Sequence, residues 1–351
     1  MTTTATDDTL LEVTDLAVHF PLPRSRPFGP VATVRAVDGV SFKVRRGRTF
    51  GIVGESGSGK TTTAQAVMGL VGKTRGTVHF EGTARDGLAP AAQRLHRRGY
   101  QMIFQDPFSS LNPRLRVDQL VREPLDLMDV GAAGERKERV AAMLDAVGLR
   151  ADQHALFPHQ FSGGQRQRIS IARALASNPK LVVCDEPVSA LDVAIQAQIL
   201  NLLARLEDEL ALTYLFISHD LHVVRYLCDD IAVMYLGRIV EQTRADAIFE
   251  APLHPYTWAL VSAIPGNAQQ AGGRARVTLR GDPPSPTELP TGCRFAARCQ
   301  FAETQCLASE PQLRSMPGDR LVACHRVDAD GIGPQHLFFN APEPLPCRPK
   351  N

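Results

Sequence analysis

Apolar residues recur along this chain in two rhythms. Near the start they come in short runs, Leu11–Phe20, Val31–Val44 and Thr49–Val53, whose alternation predicts strands. Between the first two lies Pro21–Pro30, rich in proline and arginine and expected to form an exposed loop. From Gly54 the chain becomes glycine-rich and then helical. Residues 106–160 hold several helical stretches, with breaks expected at Pro113, Pro124, Gly131 and Gly148. Leu181–Cys184 is a short all-apolar run, as a parallel strand covered on both faces requires, and Tyr214–Ile217 is another. Between them Ala194–Leu210 carries Ile195, Ile199, Leu202, Leu203, Leu206 and Leu210 along one face of an amphipathic helix. Strand and helix alternate, so the core is expected to be α/β with a largely parallel sheet. A polar, glycine-containing stretch, Gly266–Arg274, reads as a linker, and a Pro- and Cys-rich tail follows it. The expected division is therefore 1–265 and 266–351.

Bulk properties narrow the function class. A chain of 351 residues accommodates two domains, and 44% hydrophobic residues suffice for a sizeable core. A net charge of +2 gives no basic surface of the kind that drives nucleic-acid binding, so no nucleic-acid partner is expected. No apolar run has membrane-spanning length, and Met1–Asp8 lacks the basic start and apolar stretch of a signal peptide. The chain is thus expected to stay in the cytoplasm and to meet a membrane only through a partner. There its seven cysteines stay reduced. Cys184 falls in a core strand and Cys228 in a helix, both as packing residues, while the other five crowd the tail.

The first chemistry is a phosphate-binding loop. Gly54-Glu55-Ser56-Gly57-Ser58-Gly59-Lys60-Thr61 fits G-x-x-x-x-G-K-[ST], follows the apolar strand Phe50–Val53 and precedes a helical run from Thr62. Small residues let backbone N–H groups converge on phosphate oxygens, and the helix N-terminus adds a favourable dipole. Lys60 is placed for the β and γ phosphates and Thr61 for Mg²⁺. A glycine-rich turn with a chance lysine would not need all eight positions and this setting. Downstream, the apolar strand ending Cys184-Asp185-Glu186 supplies two acids: Asp185 to hold Mg²⁺ through water, and Glu186 to polarise the attacking water. These features define a P-loop nucleotide hydrolase and no more.

The residues between the two motifs are more specific. Phe161-Ser162-Gly163-Gly164-Gln165 resembles the signature motif of ABC (ATP-binding cassette) ATPases, with Phe where Leu is commoner. Gln105 resembles the Q-loop glutamine, Ser189-Ala190-Leu191-Asp192 the D-loop, and His219 the switch histidine. Phe20 resembles the aromatic residue that stacks on adenine, although it could equally be core. The resemblance spans roughly residues 9–262. It implies a RecA-like P-loop core, an N-terminal antiparallel β subdomain and an inserted helical subdomain at about 106–175. It also implies ATP and Mg²⁺ as ligands, with Gly54–Thr62, Gln105, Asp185 and Asp192 about the nucleotide. In that family two subunits pack head to tail, so Ser162, Gly163, Gly164 and Gln165 act on the partner's nucleotide. Glu186, His219, Lys60 and Gln105 are then the catalytic set, and Thr61, Gln105 and Asp185 the Mg²⁺ set.

Three stretches are similar to the ATPases of oligopeptide and dipeptide importers: Gln105–Pro113, Asp185–Asp192 running into Ile195–Gln198, and His254-Pro-Tyr-Thr257 leading to Ile264-Pro265. Nickel and other small-solute importers share them. The likeness implies a sister ATPase subunit, two membrane permeases, an extracytoplasmic solute-binding protein and a peripheral place on the cytoplasmic face of the membrane. Soluble ABC proteins with paired cassettes or long coiled coils, and exporters without such a tail, fit less well. Cys293, Cys299, Cys306 and Cys324 are spaced C-x5-C-x6-C-x17-C. Peptide-importer ATPases often carry such a set, in some holding a [4Fe–4S] cluster. Four thiolates also suit Zn²⁺, though these spacings are wider than the usual zinc pairs, and reduced free thiols remain the plain alternative. A metal would explain why so proline-rich a tail orders at all. His325 adjoins the set as an alternate ligand, and Cys347 lies outside it.

Overall fold

The computed structural model describes residues 8–23, 32–264, 279 and 281–334. The expected linker Gly266–Arg274 and Cys347 lie outside the described residues, as do most of Met1–Asp8 and of Pro21–Pro30. Two compact units emerge, with the division between Ile239 and Val240.

In the first unit the apolar rhythms become two sheets. β1 (Thr9–Pro21) and β2 (Thr33–Arg45) pair antiparallel, and further along the chain β4 (Arg75–Phe80) and β5 (Thr83–Ala84) extend that sheet in the order β2-β1-β4-β5. The all-apolar runs form a second, parallel sheet. It contains β3 (Thr49–Val53), β6 (Tyr100–Ile103), β7 (Leu181–Asp185), β8 (Thr213–Ser218) and β9 (Asp230–Tyr235), in the order β9-β3-β8-β7-β6. β3, β7 and β8 are buried along their whole length, which is why they read as continuous apolar runs. Phe42 of β2 stacks on Phe50 of β3 at 5.1 Å between ring centroids and joins the two sheets.

Helices connect the strands. α1 (Lys60–Met68) follows β3, and α2 (Pro90–Arg98) precedes β6. Between β6 and β7 every α or β element is helical: α3 (Pro107–Ser110), α4 (Val117–Leu127), α5 (Ala133–Ala146) and α6 (Gly163–Leu175). Pro124 does not break this stretch as expected. It lies inside α4 on the buried face with Leu120, Val121 and Leu125, so the helix gives up one backbone bond and keeps its apolar packing. α7 (Val193–Leu210) buries Ile199, Leu202, Leu203 and Leu206, the stripe its sequence announces. α8 (Leu221–Leu227) leads to β9, and Cys228 caps it, buried, as Cys184 is in β7.

The second unit begins within β10 (Arg238–Arg244) and continues through α9 (Ala245–Glu250), α10 (Pro255–Ser262) and, in the tail, α11 (Thr304–Ala308), β11 (Arg314–Met316) and β12 (Arg320–Val322). β12 pairs antiparallel with both β10 and β11. Leu253, Met316, Val322, Cys324 and Val327 form a small core. Phe295 packs its ring on His254 and Tyr256, and Phe301 meets Trp258. The carboxylate of Glu241, fully buried, accepts from the backbone N–H groups of Leu253 and His254, each at 2.8 Å, and from Arg320 at 2.9 Å. The tail therefore orders by strand pairing, aromatic docking and one buried carboxylate, corrections to the expectation that its order calls for a metal.

Candidate functional site

The phosphate loop follows from its glycines. β3 ends at Val53, and α1 starts at Lys60 behind an N-cap, Gly59, that has no side chain to satisfy the first helical N–H groups. Those donors are left for an anion. Lys60 is 4% exposed and curls over its own loop, donating to the carbonyl oxygens of Gly54 at 2.9 Å and Glu55 at 3.0 Å. Burial lowers its pKa against the opposing pull of Glu186, Asp185 and Glu55. A phosphate arriving here would restore a partner of opposite charge to an ammonium now solvated by carbonyls.

Acid and hydroxyl meet on the far side of the lysine. Thr61 Oγ1 donates to Asp185 Oδ1 at 2.9 Å across the gap between α1 and the end of β7. Burial, first, and the neighbouring charge of Glu186 raise the Asp185 pKa, while Thr61 and Lys60 oppose the rise. A buried carboxylate short of positive charge, next to a hydroxyl, is a donor set suited to a hard cation such as Mg²⁺.

Glu186 sits at the turn after β7 with φ of +46°, a left-handed conformation uncommon outside glycine. The conformation persists because the residue is tied on all sides. Its N–H donates to Ile217 O at 3.0 Å, and its own carbonyl accepts from Ser189 Oγ at 3.0 Å. The side chain then reaches Gln105 Nε2 at 3.2 Å and His219 Nδ1 at 3.1 Å through the same Oε2. Lys60, Thr61, Gln105, Asp185, Glu186 and His219 thus gather at the carboxyl ends of β3, β6, β7 and β8, where open parallel sheets present their ligand crevices.

Other expected site residues make contacts of their own. Ser162 caps α6 reciprocally: its N–H donates to Gln165 Oε1 at 3.0 Å, and its Oγ accepts from Gln165 N–H at 3.4 Å. α6 packs on α7, whose own cap is Asp192, accepting from Ile195 N–H at 2.9 Å. Phe20, near the end of β1, is 39% exposed. Just after Gln105, Phe108 is 57% exposed under the Arg166 guanidinium, 4.1 Å from its ring centroid. Leu111, three residues on, is 2% exposed and belongs to the core. Its single aliphatic side chain packs inward where the short α3 ends.

Among the described residues, no group of three or more His, Cys, Asp or Glu is placed to hold a metal ion. The convergence expected of Cys293, Cys299, Cys306 and Cys324 is thus not at ligating geometry. The thiols are nevertheless neighbours: burial raises the pKa of Cys299 to about 11, with Cys293 and Cys306 adding to the rise, and of Cys324 to about 12, with Cys293, Cys299 and Cys306 adding to it. Cys293 N–H donates to Cys306 O at 2.7 Å, and His325 Nε2 lies 2.9 Å from Ser309 O.

One participant escaped the sequence reading. Asp38, 4% exposed in β2, receives His19 Nε2 at 3.0 Å and lies 3.7 Å from both Arg75 and Arg238. An acid set among the inward valines Val37 and Val40 was the available signal.

The chain is similar to known proteins over most of its length. The family described as ABC transporter matches residues 37–189, and the family described as oligopeptide/dipeptide transporter, C-terminal region, matches residues 240–306. The chain is 47% identical to the putative oligopeptide transport ATP-binding protein YkfD of Bacillus subtilis, over 90% of this chain and 95% of that protein. It is 46% identical to the dipeptide transport ATP-binding protein DppF of Escherichia coli, over 92% of this chain and 95% of that one. Among solved structures, a dimeric post-hydrolysis state of the ATP-binding cassette MJ0796 bound to ADP and Pi matches with a TM-score of 0.59 and 27% identity. That match covers 67% of this chain and 98% of the other.

Proposed function

The chain belongs to the family of ATP-binding subunits of oligopeptide and dipeptide ABC transporters, and from that premise we propose how its residues share the work. It is the ATP-hydrolysing subunit of an importer of this class. The observation that carries the residue assignment is the carboxylate of Glu186, held between Gln105 and His219 beside the Thr61–Asp185 pair.

The backbone N–H groups of Gly54–Thr61, with Thr62, cradle the phosphates. Lys60 leaves the carbonyls of Gly54 and Glu55 for the β and γ phosphates. Thr61, Asp185 and Gln105 would hold Mg²⁺, which would neutralise charge on the phosphates. Glu186 accepts a proton from the attacking water, His219 holds that carboxylate in place, and Gln105 senses what lies at the γ position. Phe20 stacks on adenine. Ser162–Gln165 and Asp192 act across a head-to-tail pair, so each chain supplies half of each site. Residues 1–265 form the cassette, with β1, β2, β4 and β5 as its antiparallel subdomain and 106–175 as its helical subdomain; 266–351 form the extension.

The partners are a related sister ATPase, two permeases carrying a peptide and, beyond the membrane, a solute-binding protein; the chain is peripheral on the cytoplasmic face. No helix among the described residues is long and apolar enough to cross a membrane. Phe108 stands exposed near an open cavity of about 570 Å³ lined in part by Ser109, Pro124, Leu127 and Arg173, a seat for a permease helix. Activity per chain should rise with the concentration of this chain or on adding the sister. A chain that light scattering shows to be monomeric, yet that hydrolyses ATP at the full rate of the assembled transporter, would overturn the shared site.

For the extension, the resemblance of the cysteine set to that of peptide-importer ATPases supports a [4Fe–4S] cluster that Cys293, Cys299, Cys306 and Cys324 would hold as thiolates. Anaerobic purification should yield a brown protein with about four irons per chain. One tightly held zinc would move the assignment to Zn²⁺, and four freely alkylated thiols would end both.

A further inference from the structure

The phosphate loop is held from behind by a turn that the motif does not contain. Between β9 and β10 the chain passes through Leu236 and Gly237, with φ of +41° and +79°. Two left-handed residues in succession are the pattern of a type I′ turn, which glycine suits and leucine does not. Leu236 tolerates it while 6% exposed, so its surroundings impose the conformation.

Gly237 is bonded on both sides. Its N–H donates to Ser58 O in the phosphate loop at 2.8 Å, and its carbonyl accepts from Asp38 N–H of β2 at 2.9 Å. In a planar trans peptide the C=O and the following N–H point in opposite directions. Anchoring Ser58 O on Gly237 therefore turns the Gly59 N–H away from the turn. Gly59 itself has φ of +105°, and a Cβ there would run into Ala36 O of β2. At Gly237 a Cβ would lie 2.9 Å from Arg35 O and 3.1 Å from Ala36 O. The loop and the turn are thus wedged together against one strand.

Asp38 fastens the turn a second time. Its carboxylate lies 3.7 Å from Arg238, the residue after Gly237, and 3.0 Å from His19, the residue before Phe20. A continuous run of contacts joins β1, Asp38, Gly237 and Ser58.

We infer that Gly237 is a positioning residue for ATP hydrolysis: with Asp38 it fixes the Ser58–Gly59 peptide so that the phosphate loop is preorganised for the nucleotide phosphates. This rests on the reading of Gly54–Thr61 as the phosphate loop. Preorganisation lowers the ordering cost of binding, so its loss appears in affinity rather than in the stability of the empty protein.

The test uses the full chain and measures ATP affinity together with the thermal midpoint with and without ADP. Gly237→Ala, whose Cβ meets Arg35 O and Ala36 O, should lower the midpoint of the empty protein and also weaken ATP binding by the folded fraction about tenfold, shrinking the rise in midpoint that ADP causes. Arg238→Gln, which leaves Gly237 in place and removes one attachment to Asp38, should weaken ATP binding about threefold. It carries the test if Gly237→Ala fails to fold. Lys60→Ala serves as the control. If it weakens ATP binding while Gly237→Ala, or Arg238→Gln in its place, stays within wild-type error, the inference is wrong and the phosphate loop stands. If Lys60→Ala leaves affinity unchanged, the phosphate-loop reading itself falls. A Gly237→Ala protein whose empty-state midpoint collapses, with ATP affinity intact in the folded fraction, would make the turn merely structural.

Discussion

Two glutamates show how differently the two units treat a carboxylate. Glu186 in the first takes its partners from the ends of long side chains, Gln105 at 3.2 Å and His219 at 3.1 Å, and its own side chain is 13% exposed on a backbone held at positive φ. Glu241 in the second takes two backbone N–H groups at 2.8 Å and the guanidinium of Arg320 at 2.9 Å, with no exposure at all. Side-chain partners can swing away when a ligand arrives; backbone partners cannot move without the fold. The first arrangement suits exchange of partners during a reaction, the second a permanent staple. The difference lies in the kind of donor, not in the number of bonds.

Glu241 is the place to break this comparison with the largest effect. Glu241→Ala leaves two backbone N–H groups and Arg320 buried without their acceptor, a loss of roughly 3–5 kcal/mol for a broken buried charge pair. A denaturant titration should show that loss, and Cys306 and Cys324 should alkylate faster as the tail loosens. A loss under about 1 kcal/mol would mean that solvent or another group replaces the carboxylate, and that the staple is not one.

Glu186 should respond in the opposite manner. Glu186→Gln keeps the side-chain length and removes the proton acceptor, so hydrolysis in the assembled transporter should fall roughly 10²-fold or more while ATP still binds. The thermal midpoint should stay close to the parent value, because its partners are mobile side chains. Turnover near the parent rate would remove Glu186 from the reaction. A large fall in stability would place it beside Glu241 as a structural group.

What the sequence disclosed follows the same division. Gly54–Thr61 was legible because a phosphate cradle is built from consecutive backbone groups, so its chemistry is written in eight adjacent letters. Gln105, Glu186 and His219 are each ordinary letters, and only their order along the chain, matched to a family, linked them. The brace of Asp38 and Gly237 was invisible, since it joins residues about 200 positions apart, largely through backbone bonds. The order of the tail was credited to a metal because few large apolar residues were counted there. The count could not show that Phe295 and Phe301 dock on His254, Tyr256 and Trp258.

A third glutamate sharpens the comparison with a smaller effect. Glu207 in α7 accepts from Thr49 Oγ1 at 2.6 Å, at the end of β3 opposite the phosphate loop. Among the described residues no cation bonds it directly. Burial, the leading cause, raises its pKa to about 7, with Asp229 and Asp208 adding to the rise and Thr49 and Arg48 opposing it. A carboxyl whose pKa is higher folded than unfolded favours the fold fully below its unfolded value near 4.5, and that contribution is lost as pH rises through about 7. Glu207→Gln imitates the protonated form. It should flatten the fall in stability between those pH values and raise stability at pH 8 by about 1 kcal/mol, once solvent screening at this partly exposed site is allowed for. For a chain of this size that is a rise of about 2 °C in thermal midpoint. Hydrolysis should not change, because the residue lies at the wrong end of the sheet to touch the nucleotide. If the variant loses stability at pH 8 instead, Glu207 is ionised in the fold and held by Arg48 across the gap, and it joins Glu241 among the staples. If it loses hydrolysis with stability intact, the foot of β3 communicates with the phosphate loop above it, and separating the two kinds of carboxylate by their donors alone is insufficient.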